Sequence, residues 1–117
     1  MSVRDMLMAA AAGSGSGSYR YWRIFIETNN GDPNYTSISE VELRKTVGGA
    51  DVTTPGTPVT ASSYVTDPLA PPYFVVDNIH PSFGWISAYG FGGINQWLRF
   101  DLLTPTEIRS VAISSSN

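Results

Sequence analysis

From Tyr19 onward, apolar and polar residues alternate with a period of two. Over Tyr19 to Glu27, Trp22, Ile24 and Ile26 alternate with Tyr21, Arg23 and Phe25, the pattern of a strand with one buried face. Gln96 to Leu102 repeats it, with Leu98, Phe100 and Leu102 on one side and Trp97, Arg99 and Asp101 on the other. Ile38 to Thr46 predicts a further strand with Val41 and Leu43 on one face, and Glu107 to Ile113 one with Val111 and Ile113 inward. Val59 to Val65 and Tyr73 to Val76 predict shorter strands. Turn formers separate these runs: Thr28 to Asn34, Gly48-Gly49, Pro55-Gly56 and Asp77 to Pro81. Pro68, Pro71 and Pro72 exclude helix and central strand around them. About seven strands joined by Gly/Pro turns predict an all-β sandwich.

The head of the chain follows another pattern. In residues 1–12, Val3, Met6, Leu7 and Ala10 fall at helical spacing. Ser2 suits an N-cap, Asp5 suits the first turn, and Ala9 to Ala12 have the highest helix propensity. The spacing predicts a short helical arm. Residues 13–18 alternate Gly and Ser, a flexible linker by composition. Residues 19–117 then form the single domain. A helix this short is marginal alone in water, so the arm is expected to anchor on a partner through Val3, Met6 and Leu7. A signal peptide is the competing reading. Asp5 spoils its basic region, and the apolar stretch Met6 to Ala12 is at the short limit. A loose, functionless tail is the third.

Composition narrows the function. Seven Lys+Arg against ten Asp+Glu leave a net charge of −3, which argues against nucleic acid as a partner. The absence of Cys removes disulfides, thiolate metal sites and Cys nucleophiles, and a single His removes most zinc sites. No apolar run approaches the roughly 20 residues of a membrane helix. Most of Trp22, Phe25, Trp85, Trp97 and Phe100 are expected in the core. Tyr64, Tyr73, Tyr89 and Phe91 lie near Pro or Gly and are expected in exposed loops. Arg23 and Asp101, both mid-strand, are expected to neutralise each other or a neighbour.

Two sets of segments carry a resemblance. Tyr21-Trp-Arg-Ile-Phe-Ile26 with Ile38-Ser-Glu-Val-Glu-Leu43 resembles the closing strands of the discoidin, or coagulation-factor type C, galactose-binding-like domain. Val75-Val-Asp-Asn-Ile-His-Pro-Ser-Phe-Gly-Trp85, Gln96-Trp-Leu-Arg-Phe-Asp-Leu102 and Ile108-Arg-Ser-Val-Ala-Ile113 resemble its opening half. The order is reversed, as in a circular permutation, which is tolerated where termini lie together at the surface. The resemblance implies a galactose-binding-like jelly-roll β-sandwich. The family would continue with further strands after Ile113, so an incomplete sheet is expected, completed by a neighbouring chain or by more of this one. That predicts a homo-oligomer or a larger assembly. The Met/Ala-rich head and Gly/Ser linker in front of such a domain also resemble tailed-phage virion proteins.

The resemblance further implies a structural Ca2+. Asp77 matches the family's loop carboxylate, Phe74 and Ile79 its carbonyl positions, and Glu40 with the Ser39 carbonyl its closing-strand pair. Calcium takes six to eight oxygens, mixing carboxylates and carbonyls. Asn78 stands where the family has Gly, and Asn tolerates the left-handed conformation. Asp77 as a turn former and Glu40 as an exposed strand residue is the simpler alternative.

Asp77, His80 and Ser82 sit in one loop with no nucleophile elbow or oxyanion hole, so no enzymatic activity is expected. Gly90-Phe-Gly-Gly93 lacks the Lys-Ser/Thr of a phosphate loop, and Asn34-Tyr35-Thr36 is a chance glycosylation triplet without a secretory route. The expected function is a virion protein, of a tail or other surface appendage. The arm contacts other virion proteins, and Tyr73, His80, Tyr89 and Phe91 contact host surface glycan. Few Arg or Lys residues lie near these loops, which argues against strongly anionic glycans there. A purely structural adaptor or decoration protein is the alternative. A secreted carbohydrate-binding module is another, if the head is a signal peptide.

Overall fold

A computed structural model describes the backbone of residues 6–8 and all atoms of residues 17–28, 33–66, 69–78, 84–90 and 94–114. Its regular structure is almost entirely β. The strands are β1 (Met6–Met8), β2 (Tyr19–Ile26), β3 (Ser37–Ile38), β4 (Glu40–Arg44), β5 (Val59–Ala61), β6 (Trp85–Ile86), β7 (Gln96–Thr106) and β8 (Ser110–Ser114). All pairings are antiparallel: a four-stranded sheet in the order β1-β2-β7-β5, and two ribbons, β3-β6 and β4-β8.

The two most strongly alternating segments pair with each other and form the centre of the main sheet. Trp22 faces Phe100, Ile24 faces Leu98, and Ile26 faces Gln96. All six are buried, and the five apolar ones join one core with Val59, with Ile38 and Trp85 of β3-β6, with Val41 and Leu43 of β4, and with Val75, Val76 and Ile108. Burying a large apolar side chain contributes about 1.5–3 kcal/mol, so this cluster holds sheet and ribbons together. Trp22 and Trp85 also place their indole N–H groups. Trp22 Nε1 donates to the carbonyls of Tyr19 and Thr106, and Trp85 Nε1 to that of Ser63 at 2.7 Å. Val111 and Ile113 are partly buried against the core, opposite Leu43 and Val41.

Two expectations are corrected here, and two others hold in part. The helix expected over residues 1–12 is a strand at Met6–Met8, where Met6, Leu7 and Met8 pair with Ile26, Phe25 and Ile24. The free edge of β2 offers ladder hydrogen bonds, which a marginal helix of this length does not match. Val3 lies outside the described residues. Tyr73 to Val76, expected as a strand, belongs to a 3-10 turn, Pro72–Val76, with Pro at its start. Proline is preorganised for a first helical position, where no N–H partner is needed. Of the five large aromatics, most of them expected in the core, Trp22, Trp85 and Phe100 lie there, while Phe25 and Trp97 face each other on the outer side of the main sheet and are half-buried, as the alternation of β2 and β7 requires. Asp101 is neutralised by a neighbour, Arg20, at 2.8 and 3.0 Å, whereas Arg23 makes no ion pair among the described residues.

The last difference follows from a register shift between Tyr19 and Tyr21. Tyr19 pairs with Thr106 but Tyr21 with Asp101, so β7 bulges between them. Leu103 takes a positive φ of 69° in this bulge, and its N–H donates to Asp101 Oδ1 at 2.8 Å.

The chain from Ser37 to Arg44 changes partner at Ser39. β3 pairs with β6 before it, and β4 with β8 after it. Ser39 N–H donates to the Ser114 carbonyl at 2.8 Å across this corner. Gly84 packs against the same corner with a φ of 62°, and a Cβ there would stand 2.0 Å from the Ile38 carbonyl oxygen.

Candidate functional site

Two groupings bring together residues singled out in the sequence. The first is a cluster of loops beyond one end of β7. Ser62 and Ser63 both donate their hydroxyls to Gln96 Oε1, each at 2.7 Å, and Gln96 Nε2 donates to the Ile94 carbonyl at 3.0 Å. The same hydroxyl oxygens accept backbone N–H groups from Trp97 and Ala88, each at 3.0 Å. Gln96 is buried, so its satisfied amide fixes three loops relative to each other. Ser87 and Thr36 add a reciprocal pair: Thr36 N–H to Ser87 Oγ and Ser87 N–H to the Thr36 carbonyl, both 2.8 Å.

On this frame Tyr89 is 69% exposed, and its ring meets that of Tyr35 at 5.8 Å. Tyr64 follows Ser63 and is also exposed. The loops thus present outward aromatic rings on a braced base, the arrangement a stacking ligand uses. Tyr73 is exposed too, but sits on the 3-10 turn with its ring edge-on to Phe74. Its ring contact does not link it to Tyr89. His80 and Phe91, expected beside them, lie outside the described residues. Sequence reading missed Tyr35 and the bracing role of Gln96. Tyr35 sat inside a glycosylation-like triplet, and Gln96 looked like an ordinary strand residue.

The second grouping joins β4 to the end of the 3-10 turn. Glu40 opens β4 and is buried, which sets aside the simpler alternative of an exposed strand residue. Its Oε1 accepts the Asn78 N–H at 2.8 Å. Asn78 has a φ of 60°, the left-handed conformation expected of it, and aims that N–H at the carboxylate. Asp77, just before it, caps the 3-10 turn and donates its N–H to the Phe74 carbonyl at 3.5 Å. Burial pushes the Glu40 carboxyl up to about 7; the Asn78 N–H works against this, and the charges of Asp77, Asp51 and Glu42 add to it. Glu40 Oε2 is buried and has no hydrogen-bond partner among the described residues.

A buried, unsatisfied carboxylate oxygen beside a second carboxylate fits a hard cation, which would satisfy the oxygen and cancel the repulsion. Glu40 and Asp77 are carboxylates that act on each other at this corner; Ser39 precedes Glu40 in the chain, Phe74 belongs to the 3-10 turn that Asp77 caps, and Ile79 lies outside the described residues. Among the described residues no group of three or more His, Cys, Asp or Glu side chains forms a metal cluster, so any cation here would lean on backbone oxygens.

No family model, no curated protein and no solved structure matches this chain.

Proposed function

We propose that this chain is a non-enzymatic virion component of a phage tail or other surface appendage, whose galactose-binding-like jelly-roll sandwich contacts host surface carbohydrate. The observation that carries this reading is the braced loop end, where the exposed Tyr89 ring meets the half-buried Tyr35 ring beside the Ser62–Ser63–Gln96 network. Rigid aromatic rings bind the carbon face of a sugar with little loss of side-chain freedom. In this reading the N-terminal arm anchors the domain to neighbouring virion proteins, as an edge strand rather than a helix. A Ca2+ held by Glu40 and Asp77, with carbonyls of Ser39, Phe74 and Ile79, has a structural part: it ties β4 to the 3-10 turn.

A single sugar site of millimolar strength supplies only about 4 kcal/mol, so attachment relies on many copies per particle. The test is a glycan array probed with the full chain displayed multivalently. Binding to one class of glycan, lost in Tyr89→Ala with an unchanged melting temperature, is the expected result. No binding at high valency overturns the carbohydrate reading and favours a purely structural adaptor.

A further inference from the structure

We propose that the outer face of the β1-β2-β7-β5 sheet binds a chain of carboxylated sugars, with one carboxylate gripped by Arg23 and Arg99 and a neighbouring ring on Phe25 and Trp97. This rests on the reading of the domain as glycan-binding, and adds the chemical class and a surface away from the loops.

The cross-strand register sets the geometry. On the outward side of β2 and β7, Tyr21 faces Asp101, Arg23 faces Arg99, and Phe25 faces Trp97. β5 adds Thr60 directly beside Arg99. An arginine rung is thus bounded on both sides by aromatic side chains. Like charges directly opposite in a sheet are destabilising, so this rung opposes stability unless something neutralises it. Asp101 is engaged elsewhere: it accepts two hydrogen bonds from Arg20 and one from the Leu103 N–H, and acts on Arg99 only at longer range. Neither Arg23 nor Arg99 makes a salt bridge among the described residues.

The guanidinium groups are nonetheless positioned. Arg99 lies 4.8 Å over the Tyr21 ring, Arg20 5.0 Å over the same ring, and Arg23 5.8 Å over Phe25. Stacking holds the planar groups near the sheet while Arg23 and Arg99 remain exposed. Planar, exposed guanidiniums match a carboxylate in bidentate fashion.

The aromatic rung decides between acidic ligands. Successive outward residues on one strand stand about 7 Å apart, so a ligand on the arginine rung reaches the aromatic rung only if it carries an apolar body of that size. A chain of pyranoses with a carboxylate on each ring spans that distance, with one carboxylate on the arginine rung and a neighbouring ring on the aromatic rung. An Asp or Glu side chain of a partner protein would fill the arginine rung and leave Phe25 and Trp97 uncovered.

The experiment titrates the full chain with oligogalacturonate, with its neutral methyl ester, and with poly-L-glutamate. Side-chain NMR follows the Trp97 indole and the Arg23 and Arg99 guanidiniums. Oligogalacturonate should shift all three, with affinity falling as salt rises, and the ester should bind far more weakly. Arg23→Gln and Arg99→Gln should each weaken binding by at least about tenfold. Their melting temperatures should stay level or rise, because the like-charge pair is gone; a structural role would lower them. Arg99→Lys keeps the charge but loses the planar fork, and should also bind more weakly. Equal binding of poly-L-glutamate assigns the face to an acidic protein and overturns the proposal. Equal binding of the ester, no response to oligogalacturonate, or wild-type affinity in the Gln variants does the same. Neutral glycans bound through Tyr89 with no oligogalacturonate response would overturn this inference alone; the absence of binding to any glycan would overturn the carbohydrate reading with it.

Discussion

Single side chains set both the strength and the weak points of this molecule. Gly84 is the clearest case, because backbone rather than a flexible side chain stands where a Cβ would go. The positive φ adds a second penalty for any L side chain. Gly84→Ala is therefore expected to destabilise by about 4 kcal/mol, the upper range for single substitutions, measured by urea unfolding. Glu40 is a different kind of weak point. Its buried Oε2 has no partner among the described residues, and an unsatisfied polar atom of this kind opposes folding by about 1–3 kcal/mol. In the sequence only the family resemblance singled Glu40 out, since a Glu at the start of an alternating strand otherwise reads as solvent-facing. Burial at the corner between two sheets has no local signature.

At the scale of elements, β2 and β7 were readable because each alternates strictly between apolar and other residues. The same alternation places Phe25 and Trp97 outside, and so separates them from the large aromatics that fill the core. The 3-10 turn at Pro72–Val76 was not readable as such: a short apolar run after two prolines has no period long enough to separate strand from helix. The head failed for a related reason. Helical spacing over so few residues does not outweigh an open strand edge nearby. If β1 is held by its ladder to β2, Leu7→Pro removes a donor from the edge and disrupts the pairing with Phe25. In hydrogen exchange, the amides of Ile24 to Ile26 that face β1 should lose protection while those that face β7 keep it. A lack of change on the β1 side would show that the arm contributes nothing to the sheet.

For the whole molecule, the linkage between protonation and folding gives a test of the cation site. The folded Glu40 carboxyl titrates at about 7, above its ordinary value of 4.5. Below the ordinary value it is protonated whether folded or not, and it contributes no pH dependence. As the pH rises towards 7, the unfolded chain gives up its proton first, so stability falls through that interval. The loss is at most about 3 kcal/mol and is complete above the folded value. In chelator, the melting temperature should therefore drop between about pH 4.5 and 7. Millimolar Ca2+ should restore it at pH 7.5, since binding to the folded state alone stabilises by mass action. Glu40→Gln keeps an acceptor for Asn78 N–H, and should abolish both the pH-dependent loss and the Ca2+ response. A melting temperature indifferent to chelator in the native chain sinks the calcium proposal.

The amino-acid order alone determined that the body is built of strands, which strands have one buried face, and which of their residues point inward. These are local properties, written in a two-residue period that every strand carries by itself. The tertiary structure decided how those strands meet. The bulge in β7 gave Asp101 to Arg20 and left Arg23 opposite Arg99, and the corner at Ser39 buried Glu40 beside Asp77. Pairing register and burial at sheet corners depend on segments far apart in the chain, and no local pattern of hydrophobicity encodes them.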